Sequence, residues 1–278
     1  FKLMVGVVNE PPILSEISSK ITKEDTSSGN IPFTVTDAEG GALSLSVVSS
    51  DPSIVPNDDV HIQIIHGTEA FGSTYILNLP EGAGPESLNL DILPAEDQFG
   101  SVKMTVTVQD GDASDMKEFI LKIDPVNDPP EVSDIPNQTT EMGTPTQAIP
   151  FTVSDPEGGM FDGGMVEVSI TSTNHTLVPE DIDHITIGEG FGLVKNVSAP
   201  AGQEVGLSLT VTPAEGEYGE AYINVTVNDG SGDSLTNITE KSFHLKVTGE
   251  PIPEIFGNSN PTMEEDKGPL EIPFTVSG

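Results

Sequence analysis

The sequence predicts an all-β chain of tandem antiparallel β-sandwiches arranged end to end. Three observations predict it: a long internal repeat, side-chain alternation of period two without helical periodicity, and clusters of Gly, Pro, Asn and Asp between the alternating runs. The repeat is the strongest. Ile31-Pro32-Phe33-Thr34-Val35-Thr36-Asp37 recurs 118 residues on as Ile149-Pro150-Phe151-Thr152-Val153-Ser154-Asp155, and again after a further 123 residues as Ile272-Pro273-Phe274-Thr275-Val276-Ser277-Gly278. Pro94-Ala95-Glu96-Asp97-Gln98-Phe99-Gly100 matches Pro213-Ala214-Glu215-Gly216-Glu217-Tyr218-Gly219 at a spacing of 119. Val8-Asn9-Glu10-Pro11-Pro12 matches Val126-Asn127-Asp128-Pro129-Pro130 at 118.

These offsets give a domain organisation. Residues 1–10 read as the last strand of a preceding module, because Phe1-Lys2-Leu3-Met4-Val5 resembles Phe119-Ile120-Leu121-Lys122-Ile123. Residues 11–128 and 129–250 read as complete modules, and 251–278 as the start of a truncated third. The chain therefore reads as a piece of a longer array.

Within module one the elements follow in order. Strand A is expected near 13–21, B at 31–36, C at 43–48 and D at 60–65. E is expected at 88–92, F at 102–108 and G at 117–123. Val102, Met104, Val106 and Val108 alternate with Lys103, Thr105 and Thr107, which gives F one apolar face. In module two Tyr222, Asn224 and Thr226 face away from Ala221, Ile223, Val225 and Val227 in the same way. Pro32, Pro150 and Pro273 each open a strand B, where a missing N–H donor is tolerated. Seven short strands with turn signals in about 118 residues suggest an immunoglobulin-like sandwich. The run Ser73–Leu79 is either an extra strand or part of a long D–E excursion; as a full strand it would break the simple alternation of direction.

Charge excludes several functions. The chain has 278 residues, 10 Lys plus Arg against 45 Asp plus Glu, and a net charge of −35. Ten scattered lysines make no phosphate-binding patch, so nucleic acid and anionic membrane surfaces are excluded as partners. No apolar run reaches the roughly 18 residues of a membrane-spanning helix. No cysteine is present, so neither a disulfide framework nor a thiolate metal site exists. No phosphate loop or nucleophile elbow occurs, and His61, His66, His175, His184 and His244 lack metal-ligand spacing. The chain is read as non-enzymatic. Sequons occur at Asn137, Asn174, Asn196, Asn224 and Asn237.

Strand direction organises the acids. If B runs upward, E runs down, F up and G down. Glu24 and Asp25 before B, Glu96 and Asp97 between E and F, and Asp124, Asn127 and Asp128 after G then share the bottom of module one. In module two, Asp155 and Glu157 follow B and Asp229 follows F, at the top. A corresponding set at the top of module one comprises Asn9, Glu10, Asp37, Glu39 and Asp110. Clustered carboxylates raise one another's pKa and are costly unless a cation neutralises them. An all-oxygen set without His or Cys suits a hard cation, and six to eight flexible ligands suit Ca²⁺ better than Mg²⁺. The remaining negative charge is expected on the sandwich faces, as solubility or salt adaptation. Ordinary turn chemistry is the alternative account of acids at strand ends.

Asp124-Pro125-Val126-Asn127-Asp128-Pro129-Pro130 resembles the linker of cadherin-type calcium modules, and the chain resembles the tandem cadherin-like repeats of large bacterial surface proteins. Glu96-Asp97, Asp155-Pro156-Glu157, Asp229 and Lys23-Glu24-Asp25-Thr26 stand where such repeats carry acidic elements. The resemblance implies Ca²⁺ as cofactor, with full coordination at the first junction. Glu141-Met142-Gly143 and Thr248-Gly249-Glu250-Pro251 depart from the pattern and imply a depleted site at the second. The implied role is an extracellular or cell-surface rod or stalk, adhesive or structural, whose partners are other copies or modules of the same protein. A surface glycan or protein could bind through regions outside this chain. The alternatives are a subunit of an extracellular fibre or surface layer built through β contacts between copies, and an accessory module of a secreted hydrolase.

Overall fold

The computed structural model describes residues 9–111, 113–158, 164–188, 192–231 and 237–249, and the backbone of two further strands within 254–277. The chain forms two compact units, Phe1–Asp128 and Pro129–Gly278. Each holds a pair of β-sheets, unit two has a further two-stranded sheet, and no helix occurs among the described residues.

Unit one contains β1 (Ile13–Leu14), β2 (Lys20–Lys23), β3 (Ile31–Thr36), β4 (Gly41–Ser49) and β5 (Ile62–His66). It continues through β6 (Glu69–Phe71), β7 (Thr74–Leu79), β8 (Glu86–Ile92), β9 (Gly100–Asp110) and β10 (Ala113–Asp124). One sheet has the order β1-β3-β8-β5-β6 and the other β2-β10-β9-β4-β7. Every long strand buries alternate residues: Ile31, Phe33 and Val35 of β3 point inward, as do Leu43, Leu45 and Val47 of β4 and Val102, Met104, Val106 and Val108 of β9. At roughly 1.5–3 kcal/mol per fully buried aliphatic side chain, this alternation is what specifies the register.

Two details differ from the sequence expectation. Strand A is two strands on different sheets: β1 pairs antiparallel with β3, and β2 pairs parallel with β10. The crossing between them is held at both ends. Ser15 N–H donates to Thr34 O (3.0 Å), Ser19 Oγ accepts from Ile120 N–H (3.2 Å), and Ile17 plugs the core between. The second difference concerns direction. Residues 74–79 do form a full strand, antiparallel to β4, yet the alternation of direction survives. A further short strand, β6, is inserted before it and pairs antiparallel with β5, so two insertions restore the parity that one would break.

Unit two repeats the plan with β11 (Glu131–Val132), β12 (Gln138–Glu141), β13 (Ile149–Ser154), β14 (Met165–Ser172) and β15 (Ile185–Ile187), then β16 (Val194–Ser198), β17 (Val205–Val211), β18 (Gly219–Asn228) and β19 (Ile238–Thr248). Its sheets are β11-β13-β17-β15 and β12-β19-β18-β14-β16. Phe151, Val168, Ile223 and Phe243 lie in its separate core. Strands β20 (Glu254–Gly257) and β21 (Phe274–Ser277) pair antiparallel in the register that β11 and β13 use one repeat earlier. The expected strand over Phe1–Val5 lies outside the described residues.

The bulk of the acids is not on the sandwich faces, where the sequence analysis expected it. Of the 20 described acids of unit one, 13 sit in loops and turns. The outward positions of its strands are mostly Ser, Thr, Asn and Lys, with Asp91, Glu118 and Asp124 as the acidic exceptions. Side chains in the middle of a sheet have like-facing neighbours on adjacent strands at roughly 4.5–5.5 Å, so facing carboxylates would repel. Loop acids are not held to that spacing by strand pairing.

Candidate metal centre

The pairing of unit one fixes which strand ends meet. β3 and β9 run one way, and β2, β8 and β10 run the other. The turn after β2, the turn between β8 and β9, and the segment after β10 therefore share one end of the sandwich. On those three segments stand Glu24 and Asp25, Asp97, and Asp128. Carboxylate oxygens of Asp25, Asp97 and Asp128 lie within 4.8 Å of one another. Asp25 Oδ1 also accepts from Asp97 N–H at 3.2 Å, which joins the two turns directly.

Glu24 is the buried member. It is 1% exposed, its backbone N–H donates to Asp124 O (3.1 Å), and one carboxylate oxygen accepts from Val126 N–H. Its other oxygen, Oε2, is buried without a hydrogen-bond partner. Burial pushes the Glu24 carboxyl above its ordinary range; the Val126 N–H opposes this, and Asp128, Asp25 and Asp97 add to it by repulsion. A buried, unsatisfied carboxylate oxygen beside three more carboxylates is what a hard cation would relieve.

The backbone supplies an independent sign. Asp25 (φ 53°) and Asp97 (φ 55°) hold left-handed conformations, uncommon outside glycine. The repeat shows what such positions ordinarily carry. Glu24 N–H to Asp124 O corresponds to Met142 N–H to Thr248 O in unit two, which aligns Asp25 with Gly143 (φ 65°). Asp97 aligns with Gly216 (φ 81°). Unit two uses glycine where the turn demands it, and unit one uses aspartate at both places against the conformational preference.

The other expected ligands are placed as follows. Glu96 is exposed, and Asp124 is half-exposed and paired with Lys122 Nζ at 2.6 Å; neither belongs to the three-aspartate group. Asn127 is half-buried beside Asp128. At the opposite end of unit one, Asp37 is 3% exposed, and its Oδ1 accepts from Glu39 N–H (3.1 Å) and Gly40 N–H (2.7 Å). Asp37 Oδ2 and Asp110 Oδ2 are buried without hydrogen-bond partners. Glu10 N–H donates to Glu39 Oε2 (3.2 Å), and Asn9 is exposed. In unit two Asp155, Glu157 and Asp229 are all buried. Asp229 Oδ1 accepts from Ser231 N–H at 2.8 Å.

A pH prediction follows for the cation-free protein. The folded pKa of Glu24 is raised above the unfolded value of 4.5, so the folded state binds more protons than the unfolded state above that pH. Stability contributed by protonated Glu24 is present at acid pH and lost as pH rises through the folded pKa. In chelator, Glu24→Gln should flatten this fall and leave unit one more stable at neutral pH than the parent. Urea unfolding between pH 4 and 8 reads it, on the scale of ~1 kcal/mol. A steeper fall in the variant contradicts the assignment.

No family model matches the chain, and no curated protein matches it. Solved structures are similar at low identity. Human CDH23 EC21-23 is 15% identical, covers 97% of this chain and 81% of its own, and has a TM-score of 0.43. The extracellular cadherin domains 1-5 of protocadherin Gamma B2 are 13% identical, with 90% and 41% covered and a TM-score of 0.44. An endo-fucoidan hydrolase of glycoside hydrolase family 107 is 17% identical, with 87% and 29% covered and a TM-score of 0.29. The all-β tandem sandwich fold rests on the strand pairing given above.

Proposed function

We propose that the chain is a non-enzymatic, extracellular structural and adhesive repeat region whose modules bind calcium at their ends. The observation that carries this reading is the pair of left-handed aspartates, Asp25 and Asp97, where the sister unit places glycine. They sit beside Asp128 and around a buried Glu24 with an unsatisfied oxygen. Four carboxylates from three segments offer hard oxygen ligands of the kind and flexibility Ca²⁺ takes.

The stiffening mechanism follows from which segments would be joined. Asp128 lies beyond β10, on the chain that leaves unit one. Glu24 already binds that chain through Val126 N–H. A cation shared by Asp128 and the two turns would fasten the departing segment to its own sandwich and restrict its direction. Asp155, Glu157 and Asp229 are proposed as ligands at one end of unit two. Asn9, Glu10, Asp37, Glu39 and Asp110 are proposed for the other end of unit one. The turns equivalent to the Asp25 and Asp97 turns, carrying Met142, Gly143 and Gly216, are proposed as a depleted site. The organisation into a preceding strand, two complete modules and a third beginning at 251 belongs to the same proposal.

Calorimetric titration of the chelated full chain with calcium tests it. Saturable binding that weakens in Glu24→Gln and Asp128→Asn supports the reading. Absence of binding, or binding indifferent to both substitutions, rejects it.

A further inference from the structure

The two edges of the β2-β10-β9-β4-β7 sheet of unit one are unlike each other. An edge strand exposes a row of unpaired N–H and C=O groups, and soluble proteins blunt such edges with charge, proline or a bulge. β2 carries Lys20 and Lys23. β7 reads Thr74-Tyr75-Ile76-Leu77-Asn78-Leu79, with no charge, proline or glycine, and pairs with β4 over six consecutive residues without a bulge. Its other side has no strand neighbour among the described residues.

Unit two supplies the comparison. Val47 N–H to Ser73 O and Ile170 N–H to Leu193 O, both 2.9 Å, align the two edges. Tyr75 then corresponds to Lys195, and Ile76 to Asn196, the first residue of a sequon. The edge strand β16 therefore carries a charge and β7 does not. Ile76 is 54% exposed, and on the same outer face Val48 of β4 is 48% exposed. The outward positions of β4 and β7 carry no charged residue, in a chain of net charge −35.

We propose that β7 is a docking edge for a second copy of this chain. Two β7 strands would pair antiparallel about a two-fold axis and join two five-stranded sheets into one. The charge distribution selects this occupant. A basic partner would be drawn to the acidic turns, not to an uncharged strip. A partner as acidic as this chain can approach closely only where both surfaces are uncharged, and a second copy brings the same uncharged edge. Acids flank the strip on both sides: Asp59 accepts from Ser73 N–H (2.8 Å), and Glu81 follows the strand. The contact is therefore small and opposed at its rims, so it is weak at low salt and strengthened by screening. The inference does not rest on calcium.

Sedimentation velocity on the full chain in chelator tests it, at ~0.1 M and ~1 M NaCl, where the Debye lengths are about 10 Å and 3 Å. The expected result is a reversible dimer that strengthens with salt. Ile76→Lys should weaken it at least ~10-fold, about 1.4 kcal/mol. Asn78→Lys, at a second exposed position, should do the same if the first variant folds poorly. Ile13→Lys, 62% exposed on β1 of the other sheet, should leave it unchanged. The reciprocal Lys195→Tyr, Asn196→Ile chain has two open edges and should form species larger than dimers. A chain that stays monomeric at ~1 mM in ~1 M salt, or an Ile76→Lys chain that dimerises like the parent, overturns the proposal.

Discussion

Replacing both Asp25 and Asp97 with glycine should stabilise unit one in chelator and destabilise it in calcium, relative to the parent. The two signs come from different physics. Both residues hold φ near +55° without being glycine. Relieving that strain is worth about 0.5–1 kcal/mol at each position. The same change removes two carboxylates from the three-aspartate group, leaving Asp128 alone of the three. At free calcium of about 100–1,000 times the dissociation constant, a bound ion stabilises the parent by roughly 3–4 kcal/mol. The variant should lose most of that gain. Urea unfolding followed by circular dichroism, with and without calcium, gives four midpoints, and the order of parent and variant should reverse between conditions. Equal calcium effects in both proteins would falsify the ligand assignment. A variant less stable than the parent in chelator would show that the aspartates serve the turns themselves.

Leu45→Ala should lower the stability of unit one by about 2–5 kcal/mol and leave unit two unchanged. Leu45 is 0% exposed, at the middle of β4, and β4 is flanked by β9 and β7. Truncation removes a buried side chain and leaves a cavity that neighbours paired on both sides are poorly able to fill. The two units have separate hydrophobic cores, so the transition of unit two serves as an internal reference. A shift of both transitions together would mean that the units unfold as one.

The strands were legible because they alternate. Phe33, Val106 and Leu121 occupy inward positions that period two assigns without ambiguity, and the repeat supports them through Phe151, Val225 and Leu245. Strand β6 was not legible: Glu69-Ala70-Phe71 lies close between Gly67 and Gly72, shows no alternation, and becomes a strand only by pairing with β5. The division of strand A was hidden for a related reason. Ser15 and Ser19 look like turn residues, and their role in holding the crossing depends on Thr34 and Ile120, which are distant in sequence.

The acids of the candidate site were legible as a group, from chain order and strand direction. Which of them approach one another was not. Asp25, Asp97 and Asp128 meet, while Glu96 and Asp124, one and four residues away from members of that group, do not. Side-chain direction at a turn depends on dihedral angles that composition does not give. One clue does stand in the sequence: Asp97 of Ala95-Glu96-Asp97 aligns with Gly216 of Ala214-Glu215-Gly216. An aspartate where a repeat otherwise uses glycine marks a left-handed turn position that carries a carboxylate.

The division of the first strand has a mechanical consequence. β2 and β10 lie parallel, with Lys20 to Lys23 opposite Leu121 to Asp124. A pull on the two chain ends of unit one drags these strands in opposite directions along their common axis. The rungs between them are then loaded in shear, all at once, whereas the antiparallel hairpin of β9 and β10 would open rung by rung if its ends were pulled apart. Resistance to tension is thus concentrated in four residue pairs beside Glu24 and Asp128. The end of the sandwich that gathers carboxylates is also the end where force would leave it.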